Sequence, residues 1–174
     1  KESLNPLTCP WPILIPDTKD THAVISNGPS LQLIPLNPKT TSASAKKEIK
    51  LQGDVQTVCH LRTQPEYPLG LIAAADVTGA ISIIDLQSFT VLDQGELRNI
   101  AQPRSPIQIA ETSHGLLLVA SNRGSGLIDR KGQPHSPKWP ETGFHVEPGG
   151  SHAIFYGTTA GATRRNINTG SETH

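Results

Sequence analysis

The residues of this chain that could do chemistry are seven histidines, two cysteines and fifteen carboxylates, and their spacing limits what they can do. His22, His60, His114, His135, His145, His152 and His174 never fall three or four residues apart, the interval at which one local element offers two imidazoles to a metal. They read as turn and surface residues, with one site left open: His145 and His152 flank a Gly-rich turn and could meet across a hairpin. Cys59 and His60 are sequence neighbours, so on a strand they point to opposite faces, which does not suit a thiolate–imidazole pair. Cys9 and Cys59 match no metal spacing and read as two buried free thiols in a reducing compartment, a disulfide remaining the other option. The chain contains no Gly-x-Ser-x-Gly elbow, and its carboxylates are scattered singly, with no pair placed for acid/base work. These observations predict no catalytic residue, no metal and no cofactor.

Two glycine-rich stretches, Asn122 to Gly126 and Gly157 to Gly161, could cradle a phosphate only if they opened a helix. Each lies between two apparent strands, so each reads as a hairpin turn. Arg164-Arg165 is the sole adjacent arginine pair; it is either a solvated strand face or a contact for an acidic partner. Trp11 and Trp139, both in Pro-rich surroundings, join these arginines as candidate partner contacts.

The elements that must position these residues are short. Fifteen Gly and fifteen Pro are spread through 174 residues without a period, which disfavours long helices and favours many strands joined by turns. Hydrophobic residues make up 35% and aromatic ones 4%, so a core has to be built from Leu, Ile, Val and Ala. Fifteen basic residues balance fifteen acidic ones. That balance argues against a nucleic-acid interface, although Lys46, Lys47, Lys50 and the arginine pair would be its natural contacts. No apolar run reaches the eighteen or so residues of a membrane helix, and the N-terminus lacks the layout of a signal peptide. With no Asn-x-Ser/Thr site, the chain reads as intracellular, cytoplasmic or nuclear; starting at Lys1 with no methionine, it reads as a processed chain or an excised piece.

Taken in order, residues 1–20 hold Pro6, Pro10, Pro12 and Pro16 and form an extended leader that neither a helix nor a central strand can run through. From Thr21 strands and turns alternate: His22 to Ser26, a turn at Asn27-Gly28, Leu31 to Leu36, then a polar loop from Asn37 to Lys47. Val55 to Leu61 alternates as a half-buried strand. Leu71 to Leu86 is the clearest hairpin, two apolar strands around a turn at Asp76 to Gly79. Phe89 to Leu92 adds a strand. The order then recurs through Ile107 to Asp129, a Pro-rich charged loop from Lys131 to Thr142 that contains Trp139, and Phe144 to Ile167. Residues 171–174 have nothing to bury and are expected to fray.

The hairpin glycines Gly28, Gly79, Gly124 and Gly161 are 51, 45 and 37 residues apart. These intervals bracket the roughly 40 to 45 residues of one propeller blade. The phrase Ala75-Asp76-Val77-Thr78-Gly79-Ala80-Ile81-Ser82-Ile83-Ile84-Asp85 resembles the repeat signature of the WD40 family in a relaxed form. Asp76 stands at the turn aspartate and Ile84-Asp85 at the Trp-Asp pair; Ile128-Asp129 keeps the acid, Ile34-Pro35 does not, and the last unit reads Arg165-Asn166. The resemblance implies an all-β fold of antiparallel four-stranded blades of a WD40-like β-propeller, an incomplete ring or part of a larger one. Its blades would cover 21–50, 51–100, 101–140 and 141–170, with Asp76, Gly79, Asp85, Gly124, Asp129 and Gly161 as structural turn residues. A ring takes about four to eight blades, so other proteins or further chain would complete it. The function this implies is a non-enzymatic scaffold or adaptor in a multi-subunit complex; the alternative is a fragment of a propeller enzyme or ligand-binding propeller.

Overall fold

The computed structural model describes residues 13–15, 22–36, 46–62, 64–97 and 105–172. These hold fifteen β-strands and no helix. The first sheet contains β1 (Ile13–Ile15), β2 (His22–Asn27), β3 (Ser30–Pro35) and β4 (Lys47–Lys50). The second contains β5 (Val55–Leu61), β6 (Leu71–Asp76), β7 (Ala80–Asp85) and β8 (Thr90–Glu96). The third contains β9 (Gln108–Glu111), β10 (Leu117–Ser121), β11 (Gly124–Ile128) and β12 (Pro134–Trp139), and the fourth β13 (Gly143–Val146), β14 (His152–Tyr156) and β15 (Thr163–Asn166). Within each sheet every strand pairs antiparallel with the one before it in sequence.

Strand geometry turns these local pairings into a stack. Successive side chains leave opposite faces of a strand, and along β6 they enter two different cores. Leu71, Ala73 and Ala75 pack forward against Ile109, Leu117, Val119 and Ile128 of the third sheet. Ile72 and Ala74 pack backward, with Ile84, Leu86 and Phe89, against Val24, Leu31 and Leu33 of the first sheet. The division repeats one sheet on: Leu118, Ala120 and Leu127 pack forward against Phe144, Ala153 and Phe155 of the fourth sheet. A strand that must bury both faces cannot alternate apolar with polar, which explains the unbroken apolar run at Leu71 to Ala75. Each fully buried Leu or Ile contributes roughly 1.5–3 kcal/mol, so these three interfaces dominate the stability.

The sheets are not parallel slabs, because their first strands converge. β5 lies against β9 and β9 against β13. Gln108 locks one of these meetings: its Nε2 donates to the carbonyl of Phe144 at 2.6 Å, and its Oε1 accepts the Phe144 N–H at 3.2 Å. The second, third and fourth sheets therefore fan out as blades from the line of their first strands.

Three sequence expectations are corrected. The stretch from Lys131 to Thr142 is not all loop, because β12 pairs with β11 along it. Its prolines are accommodated as edge-strand prolines: Pro134 begins the strand, and Pro137 lies in a bulge where Lys138 pairs with Gly126 and His135 with Leu127. The polar loop expected up to Lys47 ends earlier, since Lys47 opens β4. Ser171 and Glu172 are paired rather than frayed: the Asn166 N–H donates to the Ser171 carbonyl at 2.9 Å, and Glu172 bridges to Arg165. Residues 173–174 lie outside the described residues.

Candidate functional site

The turn carboxylates hold backbone. Asp76, only 1% exposed, accepts from the N–H groups of Thr78 at 2.9 Å, Ala80 at 3.3 Å and Gly53 at 3.2 Å, and from the Thr78 hydroxyl. Gly53 lies in the connection from the first sheet to the second, so Asp76 ties its own turn to the linker. Gly79 closes that turn at φ +83°, a left-handed backbone where glycine carries no Cβ penalty. Gly124 is needed twice over: its φ is +108°, and a Cβ there would stand 2.4 Å from the Trp139 carbonyl oxygen. Gly161 adopts φ +87° in the connection between β14 and β15.

Asp85, Asp129 and Asn166 occupy one repeated position, the turn that follows the third strand of each sheet. Asp85 accepts from the N–H groups of Gln87 at 3.0 Å and Ser88 at 3.3 Å, Asp129 from those of Lys131 and Gln133, and Asn166 from those of Asn168 and Thr169. The match between 85–90 and 166–171 extends further. Ser88 and Thr90 hydroxyls meet at 2.7 Å, as do those of Thr169 and Ser171. Leu86 and Ile167 are both fully buried, and Phe89 at φ +55° stands where Gly170 has φ +72°. Burial alone would raise the Asp85 pKa, but hydrogen bonds from Ser88 and Gln87 outweigh it and hold the carboxyl below its ordinary value.

The candidate partner contacts separate. Trp11 lies outside the described residues. Trp139 is 7% exposed and faces the core, with its ring 4.8 Å from that of Phe155. Its area is used between the third and fourth sheets, which corrects the expectation of a surface contact. Arg165 also turns inward, at 8% exposure. Its guanidinium sits 5.4 Å over the Phe155 ring, with Nη1 2.8 Å from buried Glu141 and Nη2 3.0 Å from Glu172. The Glu141 contact departs from hydrogen-bond angles, so it is an ion pair by proximity. Burial pulls the Arg165 pKa down, and the two carboxylates outweigh it. Arg164, one residue earlier, takes the outer face and forms a bidentate pair with Glu147 at 2.8 and 2.9 Å. That pairing raises the arginine's pKa and lowers the glutamate's.

His145 and His152, left open as a pair across the hairpin, are not register partners: His145 lies opposite Ile154 and His152 opposite Asn166. Among the described residues no three His, Cys, Asp or Glu side chains gather to hold a metal. Cys59 is a free thiol, pushed up to about 11 by burial. That keeps it protonated and unreactive.

Two surfaces were missed by sequence reasoning. A cleft of about 410 Å³ opens where the β5–β6 and β9–β10 connections meet, lined by Arg62, Gln64, Glu111, Thr112, Ser113, His114 and Gly115. Glu111 accepts the Arg62 N–H at 2.8 Å, and Ser113 Oγ lies 2.9 Å from His114 Nδ1. The Ser113–His114 pair is exposed, and the nearby carboxylate is taken up by Arg62, so the cleft presents hydrogen-bonding and charged groups suited to recognition. The other surface is the outer face of the fourth sheet, where Ile154 is 37% and Tyr156 46% exposed. Alternation along β14 could have revealed it, because Ala153 and Phe155 point inward.

Fold and turn geometry define the class: an open, partial β-propeller of stacked antiparallel blades whose sheets, among the described residues, do not close into a ring. No family model matches the sequence, and no curated protein matches it. Among solved structures, the chain is similar to one described as "Crystal Structure of Mitotic Checkpoint Complex", with a TM-score of 0.61 at 14% identity over 88% of this chain. It spans 47% of that structure's chain, about half its length. At that identity the likeness is one of fold.

Proposed function

We propose that the chain is an intracellular, non-enzymatic scaffold or adaptor, built of WD40-like blades, which holds protein partners in a multi-subunit complex. The observation that carries this reading is the division of labour in the fold. The inner strands are committed to stacking, while the connections at one end place Arg62, Glu111 and His114 around an open cleft on a rigid frame. The turn roles of Asp76 and Asp85 support the WD40-like repeat, and the similar solved structure belongs to a protein complex. The test is retention of proteins from a native extract by the immobilised chain and by an R62E/H114E double variant. The reading expects specific retained proteins that the double variant loses with an unchanged melting temperature. Retention of nothing, or of the same proteins by both chains, contradicts it.

The size of the cleft supports a second reading, a small-ligand-binding or enzymatic propeller whose site is completed by further blades. Its volume falls within the roughly 300–1,000 Å³ of small-molecule sites. That reading expects a ligand or metal from a screening panel to raise the melting temperature in proportion to its concentration; a flat panel removes it.

A further inference from the structure

The repeat register gives the open face of the fourth sheet a specific occupant. Three junctions between sheets share one construction, in which a central row on the forward face of one sheet packs on the rear row of the next. Val24 and Leu33 meet Ala74 and Ile84. Their repeat equivalents Ala73 and Ile83 meet Val119 and Ile128, and then Leu118 and Leu127 meet Phe155. The next member of the forward series is Ile154 beside Arg164, with Tyr156 two residues on, and this is the row left exposed. The rear series has one unused member among the described sheets. In the first sheet Ile25 and Ile34 hold the places of Ala74 and Ile84, are half-buried, and belong to none of the three cores.

We propose that the fourth sheet of one copy docks face to face on the rear of the first sheet of a second copy, continuing the blade series head to tail. Arg164 is already matched by Glu147 and does not oppose the contact as an unpaired charge. Ile154 and Tyr156 supply the apolar centre, as Leu118 and Ala120 do one blade earlier. A single sheet face is smaller than the roughly 800 Å² a stable interface takes from each partner, so the association is weak and concentration-dependent. The contact is heterologous, using two different surfaces. This inference rests on reading the chain as an interaction module, yet it can fail alone.

Sedimentation velocity over a wide range of concentration tests it on the intact chain and on Y156E and I34E variants, each checked for an unchanged melt. The expected result is self-association by the wild type, its loss in each variant alone, and a one-to-one heterodimer when the two are mixed. Mixing restores one junction, because I34E retains the forward face and Y156E the rear. A monomeric wild type at every concentration overturns the proposal, as does self-association that survives Y156E. So does I34E associating as the wild type does, since that marks a symmetric contact between fourth sheets. Should I34E fail to fold, the comparison of wild type with Y156E, altered at an already exposed side chain, still decides. A monomeric chain that nevertheless retains partners from extract would overturn the self-contact and leave the scaffold reading standing.

Discussion

The third and fourth sheets follow the same register but differ in what surrounds them. In the third, β10 and β11 are buried along their whole length. In the fourth, β14 alternates, with Ala153 and Phe155 fully buried and Ile154 and Tyr156 exposed. Leu118 and Ile154 hold equivalent positions, and only Leu118 has a sheet in front of it. Burial here comes from stacking of neighbours rather than from strand propensity, so the same aliphatic residue has a large or small effect on stability according to its place in the series.

Truncating the equivalent pair tests this contrast most strongly. Leu118→Ala removes a side chain from a closed core and should cost about 3 kcal/mol in denaturant unfolding, whereas Ile154→Ala should cost less than about 1 kcal/mol. Equal losses would mean that the outer face is covered in the free chain. The neighbouring arginines repeat the contrast within one strand. Arg165→Ala strands Glu141 in the interior and should cost about 3 kcal/mol, while Arg164→Ala, on the open face, should leave the melt unchanged. Next is Asp76→Ala, which leaves three backbone N–H groups without their carboxylate and should cost about 2 kcal/mol.

The smallest effect is one of pH. Asp85 is held below its ordinary pKa in the fold, so its stabilisation is complete above its unfolded value, near about 4, and is lost as the pH falls through the folded one. Asp85→Asn keeps an acceptor, as Asn166 does in the fourth sheet. Its unfolding free energy should therefore run close to wild type at neutral pH and fall less steeply on acidification. A parallel acid limb would show that Asp85 is not the titrating group.

Much of this fold was legible in the sequence, because hairpins are local. Leu71 to Leu86 carries its turn chemistry and both apolar faces within sixteen residues, and the hairpin glycines mark the repeat. What escaped depended on contacts between sheets. Trp139 sits among prolines and charges that read as loop, and only Phe155 from the next sheet makes it core. Arg164 and Arg165 are identical in type and adjacent in sequence; strand alternation separates them, and only the pairing of Arg165 with buried Ala153 and of Arg164 with exposed Ile154 shows which one turns inward. The cleft was invisible because Arg62 and Glu111 are 49 residues apart and meet only where the first strands converge.

Native-state hydrogen exchange tests the central claim, that stability is set by position in a stack of two-faced blades. The account predicts slowest exchange in the paired amides of β6, β7, β10 and β11, and measurably faster exchange in those of β14 and β15 at protein concentrations too low for self-association. Protection in β14 and β15 equal to that of β10 and β11 would contradict it.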